Sequence, residues 1–235
     1  NEEQNLNLLE DYLNSIIDRV NKKIKTKLNW SIIFSDNCSF DNTLSKLTKL
    51  QFLTKNISII PFAQNYGFSY ATSYLVFLST GDFIVLLPAD MQIPIEIIIE
   101  GITKSFSNNR SSLFCRKNQE SRSLLVSIYS ILKKFFYKLL NLFQRNTYKG
   151  FFGMGCFASS DIDFLREKSN TLFLAYQLRL VFPQILYKPF LLSFKEKDRL
   201  FGKSGFNFIE YVREAFSIFL RSSFINKNGI QTLLI

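Results

Sequence analysis

Gly81-Asp82-Phe83-Ile84-Val85-Leu86-Leu87-Pro88-Ala89-Asp90-Met91-Gln92-Ile93-Pro94 carries the plainest structural signal in this 235-residue chain. Phe83 to Leu87 is a short, unbroken apolar run, which predicts a strand buried on both faces. Pro88 ends it, because proline has no N–H to give to a sheet ladder. A carboxylate and an amide, Asp90 and Gln92, follow directly behind the stop. Pro94 then opens Ile95-Glu96-Ile97-Ile98-Ile99-Glu100, predicted to be a helix with proline in its first turn. Oxygen donors at the carboxyl end of a strand are where open α/β sheets hold their ligands.

The remaining segments extend that unit in both directions. From about Glu2 to Ile24, Leu6, Leu9, Leu13, Ile16, Ile17, Val20 and Ile24 form a helical stripe. Trp30 to Phe34 reads as a strand that runs into a loop of Asp, Asn and Ser, Ser35 to Thr43, with Asp41 placed to cap the next helix, Leu44 to Leu53. Ile57 to Pro61 is a further strand, and Asn65-Tyr66-Gly67 a turn before a helix to about Leu78. After the helix that ends near Phe106, Ser112 to Cys115 is another strand. Strands and helices alternating through short connections predict a doubly wound, mainly parallel sheet flanked by helices.

The character changes after Arg116. Residues 124–145 place apolar side chains at helical spacing with Lys133, Lys134, Lys138 and Arg145 among them, and 206–220 repeat the theme between Arg213 and Arg221. Such helices either pack on a sheet or lie in a membrane interface. The expected boundary falls between a core at 1–122 and a second part at 123–235.

Composition narrows the chemistry. The chain holds 29 Lys+Arg against 19 Asp+Glu, a net charge of +10, which favours phosphates, nucleic acid or anionic lipid as partners. No nucleic-acid reading motif accompanies that charge, so nucleic acid is not expected. The sequence contains no histidine, which excludes His-based zinc sites and Ser-His or Cys-His catalysis. Cys38, Cys115 and Cys156 have no metal or redox spacing and are expected as reduced, intracellular thiols. No apolar run reaches the length of a membrane span, and no signal peptide is apparent.

Several stretches, in order, resemble family 2 glycosyltransferases. Asp36-Asn37-Cys38-Ser39-Phe40-Asp41-Asn42-Thr43 is similar to that family's Asp-Asp-Gly-Ser-x-Asp-x-Thr loop, and Gln64-Asn65-Tyr66-Gly67 to its Arg-Asn-Phe-Gly turn. Gly81 to Pro94 resembles its Gly-Asp…Asp-Ala-Asp-Leu-Gln-x-Pro segment. Asn1 to Leu6 resembles the end of Pro-x-Tyr-Asn-Glu-Glu-x-Asn-Leu. Arg116 and Arg122 resemble the paired arginines of the polyprenyl-phosphate sugar transferases, and Arg199-Leu200-Phe201-Gly202-Lys203-Ser204 their Arg-x-x-Gly-x-Ser motif. The chain is identified as similar to the dolichol-phosphate mannosyltransferase-like branch.

That resemblance implies a GT-A (Rossmann-like) fold whose first strand lies outside this sequence, and inverting transfer from a nucleotide-diphosphate sugar to a polyprenyl phosphate. Residues 1–122 become its nucleotide-sugar-binding core and 123–235 its acceptor-side part. Asp90 and Gln92 become the implied ligands of Mg²⁺ or Mn²⁺, which suits oxygen donors without histidine. Glu2, Asp36, Asn37, Ala89, Asp90, Arg116, Arg199 and Lys203 become the donor contacts, Asp90 and Arg116 the catalytic pair, and Arg122 and Ser204 the acceptor-phosphate contacts. A lipid phosphate is already an anion and requires no general base. The implied location is peripheral, on the cytoplasmic face of a membrane. The pattern departs from the family at Pro88, which replaces an acid, and at Asn37, Gln64, Ile93, Ile95 and Gly205. The competing expectations are transfer to a glycan hydroxyl, with Asp161 or Asp163 beside a glycine-rich turn at Gly153 and Gly155 as base, and a non-catalytic nucleotide-binding or membrane-scaffold domain. The plainer role of the two acids is to cap a helix at Ile162 to Arg166.

Overall fold

The computed structural model describes residues 1–117, 148–168 and 178–200. Helix α1 (Leu6–Ile24) leads into strand β1 (Ile32–Asp36), helix α2 (Thr43–Leu53), strand β2 (Ile57–Pro61) and helix α3 (Phe68–Leu78). Strand β3 (Phe83–Leu86), helix α4 (Ile95–Asn108) and strand β4 (Ser112–Arg116) follow. Strand β5 (Phe151–Ala158), helix α5 (Ser159–Lys168), helix α6 (Leu178–Ile185) and strand β6 (Phe190–Phe194) complete the described chain. The helix stripes at 124–145 and 206–220, and the acceptor-side part they define, lie largely outside the described residues.

Strands β1 and β2 pair in parallel, and a second sheet runs β3-β5-β4-β6. Within it β4 and β6 are parallel, whereas β5 runs antiparallel to both β3 and β4. The mainly parallel expectation therefore holds for the direction of every strand of this sheet except β5. Gly153 and Gly155, expected in a turn, both lie inside β5. Gly155 is there for close approach, since a Cβ would run into the backbone oxygen of Ser112 on β4. The pairing of β4 with β5 has a register irregularity between Leu113 and Cys115.

The Phe83 strand also differs from expectation. Ile84 and Leu86 are buried but Phe83 and Val85 only half so, which makes it a strand with one fully covered face. Its covered side joins the main core with Ile16 and Val20 of α1, Ile98, Ile99 and Ile102 of α4, and Phe114, Met154, Cys156 and Phe157 of the sheet. Burial at this level stabilises by about 1.5–3 kcal/mol per large side chain. Tyr12 of α1 adds a polar tie by donating its hydroxyl to the Ile93 carbonyl at 2.7 Å. Burial pushes the Cys115 thiol up to about 11 and the Cys156 thiol up to about 12. Cys38, in the loop after β1, is half-buried.

Asp41 holds the start of α2 from one position earlier than a helix cap, its carboxylate accepting both the amide and the hydroxyl of Thr43. Asp161 does not cap its helix as expected. It lies in the first turn of α5 and accepts the Ser111 hydroxyl, while Asp163 pairs with Arg166 at 2.6 Å. Arg166 also donates to the carbonyls of Val76, Phe77 and Ser79, closing the C-terminal end of α3.

Candidate active site

Strands β1, β3 and β4 end in Asp36, the Leu87-to-Pro94 turn and Arg116, so each delivers a polar side chain just where its hydrogen-bond ladder stops. Asp36 is 3% exposed. Its Oδ2 accepts the Ser39 amide at 3.2 Å, helped by a left-handed backbone at Cys38 (φ 62°) that folds the loop back. Its Oδ1 is enclosed and meets no donor among the described residues. A buried carboxylate oxygen without a donor forfeits stability that a ligand N–H or O–H would restore. Asn37 turns the other way, donating to Asn65 Oδ1 at 2.8 Å and accepting the Tyr66 amide at 3.0 Å. The loop after β1 is thereby tied to the turn before α3.

The N-terminal residues lie across the same loop. Glu2 donates its amide to Thr43 Oγ1 at 2.9 Å, and its carboxylate accepts from the side-chain amide of Asn5. Asn5 is buried, and its own Oδ1 has no donor among the described residues. Asn5 has no expected role from the motif around it; the signal for one is a polar residue at a position buried at the start of α1.

At the ends of β3 and β4 the geometry is ionic. Asp90 is 8% exposed and sits in a tight turn with Met91 in the left-handed region (φ 55°). Its Oδ1 accepts the Gln92 amide at 3.3 Å, and its Oδ2 stands 3.0 Å from Arg199 Nη2. Arg199 Nε reaches Gln92 Oε1 at 3.4 Å, while Gln92 donates its side-chain amide to the Lys197 carbonyl at 3.1 Å and accepts the Lys197 amide at 2.9 Å. Arg116 lays its guanidinium 3.9 Å above the Phe152 ring and pairs with Glu196 at 2.9 Å. Its Nε is enclosed with no acceptor among the described residues.

Residues 195–200 therefore cross both strand ends as a strap. The Lys117 amide donates to the Phe194 carbonyl at 2.7 Å, which continues the β4–β6 pairing into it. Ala89 is half-buried beside the small apolar cluster of Leu6, Leu9, Leu47 and Met91. Arg122, Lys203 and Ser204 lie outside the described residues.

The model of the family described as "Glycosyl transferase family 2" matches residues 1–167. The chain belongs to glycosyl transferase family 2. Among curated proteins it is similar to the "Uncharacterized glycosyltransferase YkcC" of Bacillus subtilis (strain 168), with 31% identity over 80 residues, or 34% of this chain and 25% of that relative. Among solved structures it is similar to a crystal structure of S. aureus TarS 1-349, with 12% identity, 81% of this chain and 56% of that chain covered, and a TM-score of 0.42. The family's α/β, GT-A-like architecture agrees with the sheet and flanking helices described above.

Within this family 2 chain the donor set for a metal is small. No group of three or more His, Cys, Asp or Glu able to hold an ion occurs among the described residues. Asp90 and Gln92 nevertheless turn their oxygens toward one positive group, the Arg199 guanidinium. One carboxylate and one amide oxygen fit part of a Mg²⁺ or Mn²⁺ shell, because such ions keep waters and substrate phosphates for the remainder.

Proposed function

We propose that this chain is the donor-binding part of an inverting glycosyltransferase that moves a sugar from a nucleotide-diphosphate sugar to a polyprenyl phosphate, as in the dolichol-phosphate mannosyltransferase-like branch. One observation carries the reading most of the way: Asp90 and Gln92, at the end of β3, offer oxygens to a single cation. Mg²⁺ or Mn²⁺ bound there would neutralise charge on the departing diphosphate.

The chain's own residues then divide the remaining work. Asp36 offers its donorless Oδ1 to the base or ribose, with Glu2 and Asn37 shaping that end. Arg116, whose Nε is unsatisfied among the described residues, meets the diphosphate and stabilises the charge that develops as the sugar–phosphate bond breaks. Ala89 lines the turn beside Asp90, and Arg199 and Lys203 fold over the donor and exclude water. Arg122 and Ser204 hold the acceptor phosphate, whose oxygen attacks the sugar from the face opposite the leaving group.

An anionic acceptor suits the site. Asp161 and Asp163, the candidate bases for a hydroxyl acceptor, are engaged by Ser111 and Arg166. The basic amphipathic stretches at 124–145 and 206–220 support a peripheral position on the cytoplasmic face of a membrane. No helix long and apolar enough to cross a membrane occurs among the described residues.

The test uses the full-length protein with radiolabelled nucleotide sugars, Mg²⁺ or Mn²⁺, and undecaprenyl or dolichyl phosphate, followed by lipid extraction. Label is expected in the organic phase and should vanish with Asp90→Ala. Label appearing only in polymer would move the acceptor to a glycan hydroxyl. Donor binding without turnover would leave a nucleotide-binding scaffold.

A further inference from the structure

Strap residues 195–200 place opposite charges on the two groups that the donor is proposed to use. Arg199, a cation, rests on Asp90 and Gln92, where a divalent ion would bind. Glu196, an anion, rests on Arg116, where the diphosphate would bind. The two are three residues apart in the chain, and Lys197 between them is fixed to Gln92 through both of its backbone polar groups.

We propose that this strap is an internal mimic of the loaded donor, with Glu196 standing in for its phosphate and Arg199 for its metal ion. The proposal rests on the donor reading above.

The physical basis is competition. Asp90 Oδ2 cannot serve a guanidinium nitrogen at 3.0 Å and a divalent ion at about 2.1 Å together without bringing two positive charges into contact. The Asp90 side chain is only 9% exposed, so water screens that conflict poorly. Arg116 has the same difficulty in reverse, because a phosphate arriving beside Glu196 brings two negative charges together. Metal alone must therefore displace Arg199, and diphosphate alone must displace Glu196. A metal–diphosphate pair displaces both at once, so each half of the donor raises affinity for the other. In the resting state the mimic also keeps the buried Asp90 carboxylate partnered, which its low-dielectric setting requires.

The experiment measures each half separately on the full-length protein. Mn²⁺ alone is titrated by the loss of its free electron-paramagnetic-resonance signal. UDP, GDP and dTDP are titrated one at a time by calorimetry in EDTA. Arg199→Gln is expected to bind Mn²⁺ alone about tenfold more tightly than the parent. Glu196→Gln is expected to bind its preferred nucleoside diphosphate without metal about three- to tenfold more tightly. Circular dichroism and melting curves confirm that both variants fold. Either affinity unchanged or weakened, while Mn²⁺ binding still depends on Asp90 by Asp90→Asn, overturns the mimic and leaves the donor site standing. Mn²⁺ binding that survives Asp90→Asn in both backgrounds overturns the metal seat itself, and the mimic with it.

Discussion

Around β1, the loop and the N-terminal residues are held mostly by amides and hydroxyls, with Ser39, Asn65, Tyr66 and Thr43 as partners, and by one ion pair, Glu3–Lys46 at 3.3 Å. Around β3 and β4, Asp90 and Arg116 are held by the opposite charges of one segment, 195–200. The first arrangement is a stiff frame that leaves buried acceptors, Asp36 Oδ1 and Asn5 Oδ1, without donors. The second is a set of exchangeable ion pairs. A nucleoside can be read by a frame whose unmet hydrogen bonds are fixed in advance. A charged diphosphate is better received where existing charges can change partners, because its own charge then offsets their loss.

The largest effect tests whether the chemistry belongs to the ionic side. Asp90→Asn is expected to lower transfer by at least about 10²-fold, the scale of losing a charge-stabilising group. Far-UV circular dichroism should show the fold retained, and a variant as active as the parent would remove Asp90 from the reaction.

Asp36→Ala is expected to weaken nucleoside diphosphate binding by roughly 10- to 100-fold, the range for losing a hydrogen bond to a buried charged group. Mn²⁺ affinity, measured without nucleotide, should not move. Equal losses in both titrations would mean that the two regions are one coupled site.

Thiol chemistry separates the regions as well. Iodoacetamide at pH 8 is expected to label Cys38, in the loop after β1, and to spare Cys115 and Cys156. Burial holds those two protonated well above that pH. Peptide mapping that finds Cys115 labelled in the folded protein would contradict the packing of β4.

Acid should loosen the β1 frame. Burial pushes the Asp41 carboxyl up, but the hydroxyl and amide of Thr43 outweigh it and hold the group below its usual value. A depressed carboxyl contributes stability above its unfolded pKa of about 3.9, and loses it as pH falls through the lower folded value. Exchange of the Thr43 amide is expected to accelerate below about pH 4, and Asp41→Asn should flatten that dependence.

The smallest effect concerns the Arg116–Glu196 pair. It is partly exposed, at 41% and 26%, and is worth about 0.2–1 kcal/mol in stability. Glu196→Gln is expected to lower the melting temperature by about 2–4 °C at most. A much larger drop would make this pair part of the frame and not an exchangeable contact.

Much of the site was legible because its parts are local. Asp36, Asp90 and Arg116 each follow a short apolar run, and the end of such a run marks where a strand stops supplying ladder hydrogen bonds. The donor oxygens of Asp90 and Gln92 were readable for the same reason. Glu196 was not, because nothing near it in sequence indicates that β6 continues into contact with the end of β4, 80 positions earlier. Strand β5 was hidden by Gly153 and Gly155, residues that ordinarily mark turns and here permit two backbones to approach. Asp161 and Asp163 looked available in sequence until their partners Ser111 and Arg166 appeared beside them.

The amino-acid sequence by itself determined the alternation of strands and helices, the polar turns at the strand ends and the absence of histidine chemistry. These depend on residue identity and on periods of two to four positions, which neighbouring residues set. The direction of β5 against its neighbours, and the strap that neutralises both charged ends of the site, emerge only when distant segments pack together. Those outcomes depend on register and contact between segments far apart in the chain, where the chosen partner is the one that buries apolar surface without stranding a charge.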